Sequence, residues 1–82
     1  MILVDVNVPS LGRTYDFSLD EQAPISVLIL EMVEMICQKE RCMLEGNHEK
    51  LNLCSPDTRE ILPPETTLKQ NKIGNGNRLM LL

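Results

Sequence analysis

Apolar and polar side chains alternate over much of the first nineteen residues, which is the pattern of β-strands buried on one face. Apolar side chains occupy every second position in two segments, Ile2, Val4, Val6 and Val8 and then Tyr15, Phe17 and Leu19. Between the segments, Pro9 and Gly12 bound a short stretch that interrupts the alternation. The sequence therefore predicts two strands joined as an N-terminal hairpin.

The apolar period changes after Pro24. Proline suits the first turn of a helix because its missing N–H would have no partner there. Apolar residues then recur with the helical i, i+3, i+4 spacing at Ile25, Leu28, Ile29, Met32, Val33 and Ile36. This spacing predicts a helix that continues to about Lys39.

Shorter strand signals follow in the second half of the chain. Leu51 and Leu53 begin a predicted third strand, residues 59–62 a short fourth, and the last residues a closing strand. One helix packed across a mixed sheet of four to five strands is a two-layer α+β fold. We expect residues 1–82 to form a single domain. Its predicted core contains Val4, Val6, Phe17, Ile25, Ile29, Val33, Leu53, Leu68, Leu79 and Leu81.

The net charge limits the classes of molecule that this protein is expected to bind. Twelve acidic and eight basic residues give a net charge of -4 at pH 7. Phosphate binding requires clustered Lys and Arg, so nucleic acid is not an expected partner. No apolar stretch approaches the roughly 20 residues of a membrane span, and no basic segment followed by an apolar run opens the sequence. We therefore expect a cytoplasmic protein without membrane insertion.

Three cysteines and one histidine raise the question of a metal site. Cys37, Cys42, His48 and Cys54 follow the pattern C-x4-C-x5-H-x5-C. Structural zinc sites usually bring two ligands together at C-x2–4-C spacing, whereas Cys37 falls in the predicted helix. A cysteine nucleophile would need a histidine oriented by a third group, and His48 lies in a polar loop. We expect ordinary thiols, with no metal, no cofactor and no catalytic residue, so the protein is not expected to be an enzyme.

The end of the sequence carries a family resemblance. Leu68, Ile73, Leu79 and Leu81 reproduce the spacing of the leucines and isoleucine that anchor the final strand of ubiquitin-like β-grasp domains. The resemblance implies a ubiquitin-like β-grasp, which agrees with the fold class expected from the periodicity.

Three segments specify the resemblance further: residues 4–6 with a hydrophobic-Asp-hydrophobic order, residues 15–19, and residues 73–81 with a glycine turn and a strand. They resemble the first, second and closing strands of the small bacterial YukD/EsaB family, which is associated with type VII secretion. Asn77 stands where that family often has Asp. The resemblance covers nearly the whole chain.

The resemblance implies a noncatalytic, protein-binding accessory or regulator of a bacterial type VII, WXG-type secretion system. Its partners would include membrane components of that system. The alternative is a ubiquitin-like modifier or sulfur carrier, which presents a C-terminal glycyl carboxylate to an activating enzyme. The sequence ends at Leu82 without a Gly-Gly pair, so we expect no conjugation.

The predicted helix is apolar over more of its circumference than core packing requires. At 100° per residue its apolar arc covers roughly 220°, against the ~100° stripe of a core-facing helix. The polar wedge consists of Glu31, Glu34 and Gln38.

Three apolar residues are candidates for partner contact: Val27 within the polar wedge, and Leu30 and Met35 at the borders of the apolar arc. In one interpretation a curved sheet and the following loop cover the excess apolar surface. In the other, one edge of the helix binds a protein partner or a second copy of the chain, because sizeable apolar patches on soluble proteins usually mark contacts.

Overall fold

A computed structural model describes residues 1–40, 51–57 and 59–82. Its elements are β1 (Ile2–Val8), β2 (Arg13–Leu19), α1 (Ile25–Glu40), β3 (Leu53–Ser55), β4 (Glu60–Ile61) and β5 (Arg78–Leu81). The strands form one sheet in the order β2-β1-β5-β3-β4, in which β1 and β5 are parallel and the other neighbours antiparallel. The described residues thus have one helix and a mixed five-stranded sheet, which confirms the predicted fold class.

The N-terminal hairpin is the most regular part of the sheet. Strands β1 and β2 pair one residue to one over seven positions, from Ile2 opposite Leu19 to Val8 opposite Arg13. Gly12 precedes β2 with a φ of 63°, a left-handed conformation that glycine adopts without a steric penalty. The hairpin predicted from the alternation is confirmed.

The third and fourth strands are shorter than predicted. Strand β3 begins at Leu53 instead of Leu51, although its pairing reaches one residue further. Asn52 donates its N–H to the Leu82 carbonyl at 2.7 Å and accepts the Leu82 N–H at 2.9 Å. Strand β4 spans only Glu60–Ile61, because Arg59 has a φ of 58° and leaves the extended conformation. The fourth strand is therefore one residue shorter at each end than the predicted 59–62, although the Leu62 N–H still donates to the Leu53 carbonyl at 2.8 Å.

The core lies between the sheet and α1. All ten predicted core residues are buried. Six helix positions face this core, and they are the ones that the helical spacing selected: Ile25, Leu28, Ile29, Met32, Val33 and Ile36. The apolar pattern therefore identified the buried face of the helix correctly.

A distant segment holds the start of α1. The Ile25 N–H donates to the Thr66 carbonyl at 2.9 Å, and the Ser26 N–H donates to the Pro64 carbonyl at 3.0 Å. Both N–H groups belong to the first turn, where an α-helix offers no internal acceptor. These bonds fix the helix relative to the chain that follows β4, and that chain forms one wall of the groove described next.

Candidate protein-interaction site

The three candidate contact residues are all exposed. Val27, Leu30 and Met35 show 43%, 52% and 42% of their surface to solvent. Met35 follows Leu30 by five positions, which places them about 140° apart around the helix axis. They consequently lie on opposite flanks of α1 and do not form one patch. Val27 precedes Leu30 by three residues and neighbours it on the helix surface, although it lies between the two flanks, about 60° from Leu30 and about 80° from Met35.

The flank with Leu30 borders a groove of about 210 Å³, here called the Leu30 groove. Ile29 and Leu62 are buried at its base, and Leu30 is exposed at its rim. The complete lining is Ser26, Ile29, Leu30, Leu51, Asn52, Leu62 and Pro64. The groove exists because the bonds from Thr66 and Pro64 hold the later chain beside the first turn of the helix. Such a concave apolar surface can accept an apolar side chain of a partner.

The flank with Met35 borders a second groove of about 200 Å³, here called the Met35 groove. It lies between α1 and β2 and is lined by Tyr15, Asp16, Phe17, Met35, Ile36 and Lys39. The Tyr15 and Phe17 rings are 6.0 Å apart between centroids. The Lys39 ammonium lies 5.5 Å from the centroid of the Tyr15 ring, within cation–π range. This groove is therefore apolar at its base, with the Lys39 cation at one end and Asp16 also in its lining.

A third apolar surface lies on the opposite face of the sheet, and the sequence reasoning did not find it. Ile61 and Leu82 are exposed there at 60% and 52%, beside the half-buried Cys54 and Met80. Arg59 stands at its border. The available signal was that Cys54 and Met80 alternate with buried leucines, so their side chains point away from the core. In strands of two to four residues that alternation is too short to be distinctive.

The rest of the outer sheet face is polar apart from Leu3 of β1, which is 55% exposed, and it carries two carboxyl groups opposite each other. Asp5 of β1 pairs with Asp16 of β2. The hydrogen bond that protonated Asp16 donates to the Asp5 carboxylate, and repulsion by the Asp5 charge, raise the pKa of Asp16, while the positive charge of Lys39 opposes the shift. Arg78 of β5 is paired with Asp5 on its other side. Charged groups at these positions make this part of the face a poor apolar docking surface.

The structure brings no metal-binding cluster together within the described residues. Cys37 and Cys54 are free thiols on the helix and on β3. Cys42 and His48, the other two members of the cysteine and histidine pattern, lie outside the described residues. Within the described part, no helix has the length and hydrophobicity needed to cross a bilayer.

Comparison with known families gives a match over residues 3–81, to the family described as protein YukD of the WXG100 protein secretion system (Wss). No match is found among curated proteins.

Solved structures show the same fold. The EccD5 ubiquitin-like domain from Mycobacterium xenopi is 26% identical with a TM-score of 0.80, and the alignment covers 99% of this chain and 91% of that domain. A chain of the MycP5-free ESX-5 inner membrane complex is 23% identical with a TM-score of 0.81, over 99% of this chain but only 20% of that one. The ubiquitin of Caldiarchaeum subterraneum is 11% identical with a TM-score of 0.69, over 98% of this chain and 89% of that protein. These likenesses confirm a ubiquitin-like fold.

Proposed function

The chain belongs to the YukD family of the WXG100 secretion system, and we propose that it is a noncatalytic accessory or regulator of bacterial type VII secretion that binds a protein partner in the cytoplasm. The observation that carries the proposal is the family match over residues 3–81. The likeness to the EccD5 ubiquitin-like domain supports it, because a domain of this fold is then shared by two proteins of such systems.

The proposed partner is a component of the secretion system's inner membrane complex. The solved ESX-5 inner membrane complex contains a chain of which about a fifth aligns with this fold. A separate module with the same ubiquitin-like fold would act as a soluble counterpart that docks on such a complex.

The proposed contact surface is the Leu30 groove together with Val27. Leu30 is exposed beside a base formed by the buried Ile29 and Leu62, so a partner side chain can be enclosed there without unfolding any element. Apolar anchors in desolvated pockets dominate the energetics of protein interfaces. A carboxylate at position 30 would have to be buried without a partner on binding, which is unfavourable.

A secretion assay in the bacterium that encodes the protein tests this function. Deleting the gene should reduce the amount of WXG-type protein in the culture supernatant, and the wild-type gene should restore it. Leu30→Glu should fail to restore export and should weaken binding to the purified inner membrane complex by about tenfold or more. Its free energy of unfolding should change by under about 0.5 kcal/mol, since Leu30 is exposed.

Gln38→Glu is the matched control, because it adds the same charge to an exposed position on the polar side of the same helix. This variant should restore export and bind normally. Unchanged export after deletion would contradict the secretion role. An unfolded Leu30→Glu variant, or one that binds normally, would contradict the assignment of the surface.

A further inference from the structure

The outer edge of β2 is open in the part of the chain that the structure describes. Strand β2 is the first strand of the sheet order, and β1 is its only neighbour there. An edge strand presents a row of N–H and C=O groups that can pair with another extended chain. The hydrogen bonds that β1 makes determine which residues of β2 direct their backbone groups to the open edge.

Successive residues of β1 direct their backbone N–H and C=O groups alternately toward β5 and toward β2. Its odd positions face the β5 side: the Asp5 N–H donates to the Asn77 carbonyl at 3.1 Å, and the Leu3 carbonyl accepts the Gly76 N–H at 2.8 Å. The even positions of β1 therefore bond to β2, where Val4 is opposite Phe17 and Val6 opposite Tyr15.

The intervening residues of β2 consequently direct their backbone groups away from β1. These residues are Thr14, Asp16 and Ser18, and they offer three N–H donors and three C=O acceptors at the open edge. Their side chains are all exposed on the outer face of the sheet.

This edge has few of the features that normally prevent strand addition. Natural edge strands are often very short, interrupted by bulges, or marked by proline or lysine. Strand β2 has seven residues without proline or lysine, its charged residues are Arg13 at the first position and Asp16, and its pairing with β1 continues without a bulge. The opposite edge strand, β4, has two residues and offers almost no template.

The Met35 groove lies beside the open edge. In a strand added to β2, alternate side chains would point toward α1 and so over this groove. Met35 is 42% exposed there and is unbranched and adaptable, which suits it to contact an aliphatic side chain. The Lys39 ammonium at one end of the groove favours an acidic side chain two positions along the added strand.

We propose that the β2 edge binds an extended segment of another protein as an additional strand, with aliphatic side chains over the Met35 groove and an acidic side chain beside Lys39. This site lies on the opposite flank of α1 from the Leu30 groove, and it is independent of the proposed secretion role. A second copy of the chain is a less suitable occupant. Antiparallel pairing of two β2 edges in the register of greatest overlap would place the two Asp16 side chains opposite each other, and such like-charge pairs are destabilising.

Titration of the isotope-labelled protein with two synthetic peptides, followed by NMR, tests the proposal. In acetyl-Val-Thr-Val-Thr-Asp-amide the valines and the aspartate share one face, and acetyl-Asp-Thr-Val-Thr-Val-amide has the reverse order. One of them should shift the amide resonances of Thr14, Asp16 and Ser18 and slow their hydrogen exchange. In antiparallel pairing the two threonines of the peptide donate to β2, and in parallel pairing the central valine does. The same peptide with proline at all three of these positions should therefore not bind in either direction, because proline lacks the donor for the ladder.

A pair of variants isolates the backbone contribution. Asp16→Ala and Asp16→Pro both remove the carboxylate, but only the second removes the N–H that faces the open edge. Asp16→Pro should fold, because that N–H takes no part in the pairing with β1, and it should bind the peptide about tenfold or more weakly than Asp16→Ala. Met35→Glu should also lose binding, whereas Gln38→Glu should retain it.

Several results would overturn the proposal. They are no shift with either peptide at millimolar concentration, shifts confined to the Leu30 groove, or equal binding by the two Asp16 variants. An unfolded Asp16→Pro variant would contradict the assigned direction of the backbone groups. Concentration-dependent shifts of the same three amides without peptide would assign the edge to a second copy of the chain instead.

Discussion

The two edge strands of the sheet differ in length and in what holds them. Strand β2 has seven residues paired along its whole length with β1, and its inward side chains are buried in the core. Strand β4 has two residues, both exposed, and pairs only with β3. The long edge is therefore part of the structural framework and also a template for another strand. The short edge, β4, contributes little to the framework and offers little template for another strand.

Truncating one aromatic or aliphatic side chain on each edge should give the largest contrast. Phe17→Ala in β2 should lower the free energy of unfolding by about 3–5 kcal/mol, because a buried ring is removed and leaves a cavity. Ile61→Ala in β4 should lower it by under about 0.5 kcal/mol, because that side chain is exposed. Urea denaturation of both variants measures the difference. Losses of similar size would show that the two edges contribute equally, contrary to the structure.

Substitutions at the residues that precede the two edge strands should change the free energy of unfolding by smaller amounts and in opposite directions. Gly12 before β2 and Arg59 before β4 have similar φ angles of 63° and 58°. Gly12→Ala should destabilise the protein by about 1 kcal/mol, although nothing lies within 4 Å of the added methyl group, because an L-residue is strained in this conformation. Arg59→Gly should release that strain. The net stabilisation should be about 0.5 kcal/mol, because glycine also raises the conformational entropy of the unfolded chain and so offsets part of the gain.

Thermal or chemical denaturation of the two single variants and the double variant measures these effects. The positions belong to different ends of the sheet order, so their effects should add. A destabilising Arg59→Gly would indicate that the arginine side chain stabilises the turn by more than its backbone strain costs.

The smallest expected effect concerns the charge on the β2 edge. The pKa of Asp16 is raised in the folded protein, first by its hydrogen bond with Asp5 and then by the Asp5 charge. The ionised Asp16 therefore disfavours folding at neutral pH, and this penalty disappears as the pH falls through the raised pKa toward the ordinary value of 3.8. Asp16→Asn should be more stable than wild type at pH 7, and the advantage should shrink on acidification. A difference that does not depend on pH would exclude this cause.

Much of the fold was accessible from the sequence because long elements repeat their periodicity. Seven alternating positions defined the first strand of the hairpin and six defined the second, while six helical positions defined the buried face of α1. The start of β4 was not accessible, because arginine carries no signal for the left-handed conformation seen at Arg59.

The interaction surfaces were accessible only in part. The exposure of Leu30 and Met35 followed from the helix pattern, and so did the angle between them. The helix alone does not reveal what each residue faces, since the neighbours of Leu30 come from chain segments more than twenty residues later. The open edge of β2 depends on strand order, which no local pattern encodes. Partner contact by Val27, Leu30 and Met35 stays a prediction until binding is measured.

The parallel pairing of β1 with β5 has a consequence for synthesis on the ribosome. Strand β1 leaves the exit tunnel well before its sheet neighbour β5, so the backbone groups of Leu3 and Asp5 lack their hydrogen-bond partners until residues 76–77 have been synthesised. Until then the nascent hairpin has two open sides instead of one. Long-range contacts of this kind form late, and this chain is therefore expected to complete its fold only after translation of β5, with chaperones as the natural protection in the interval.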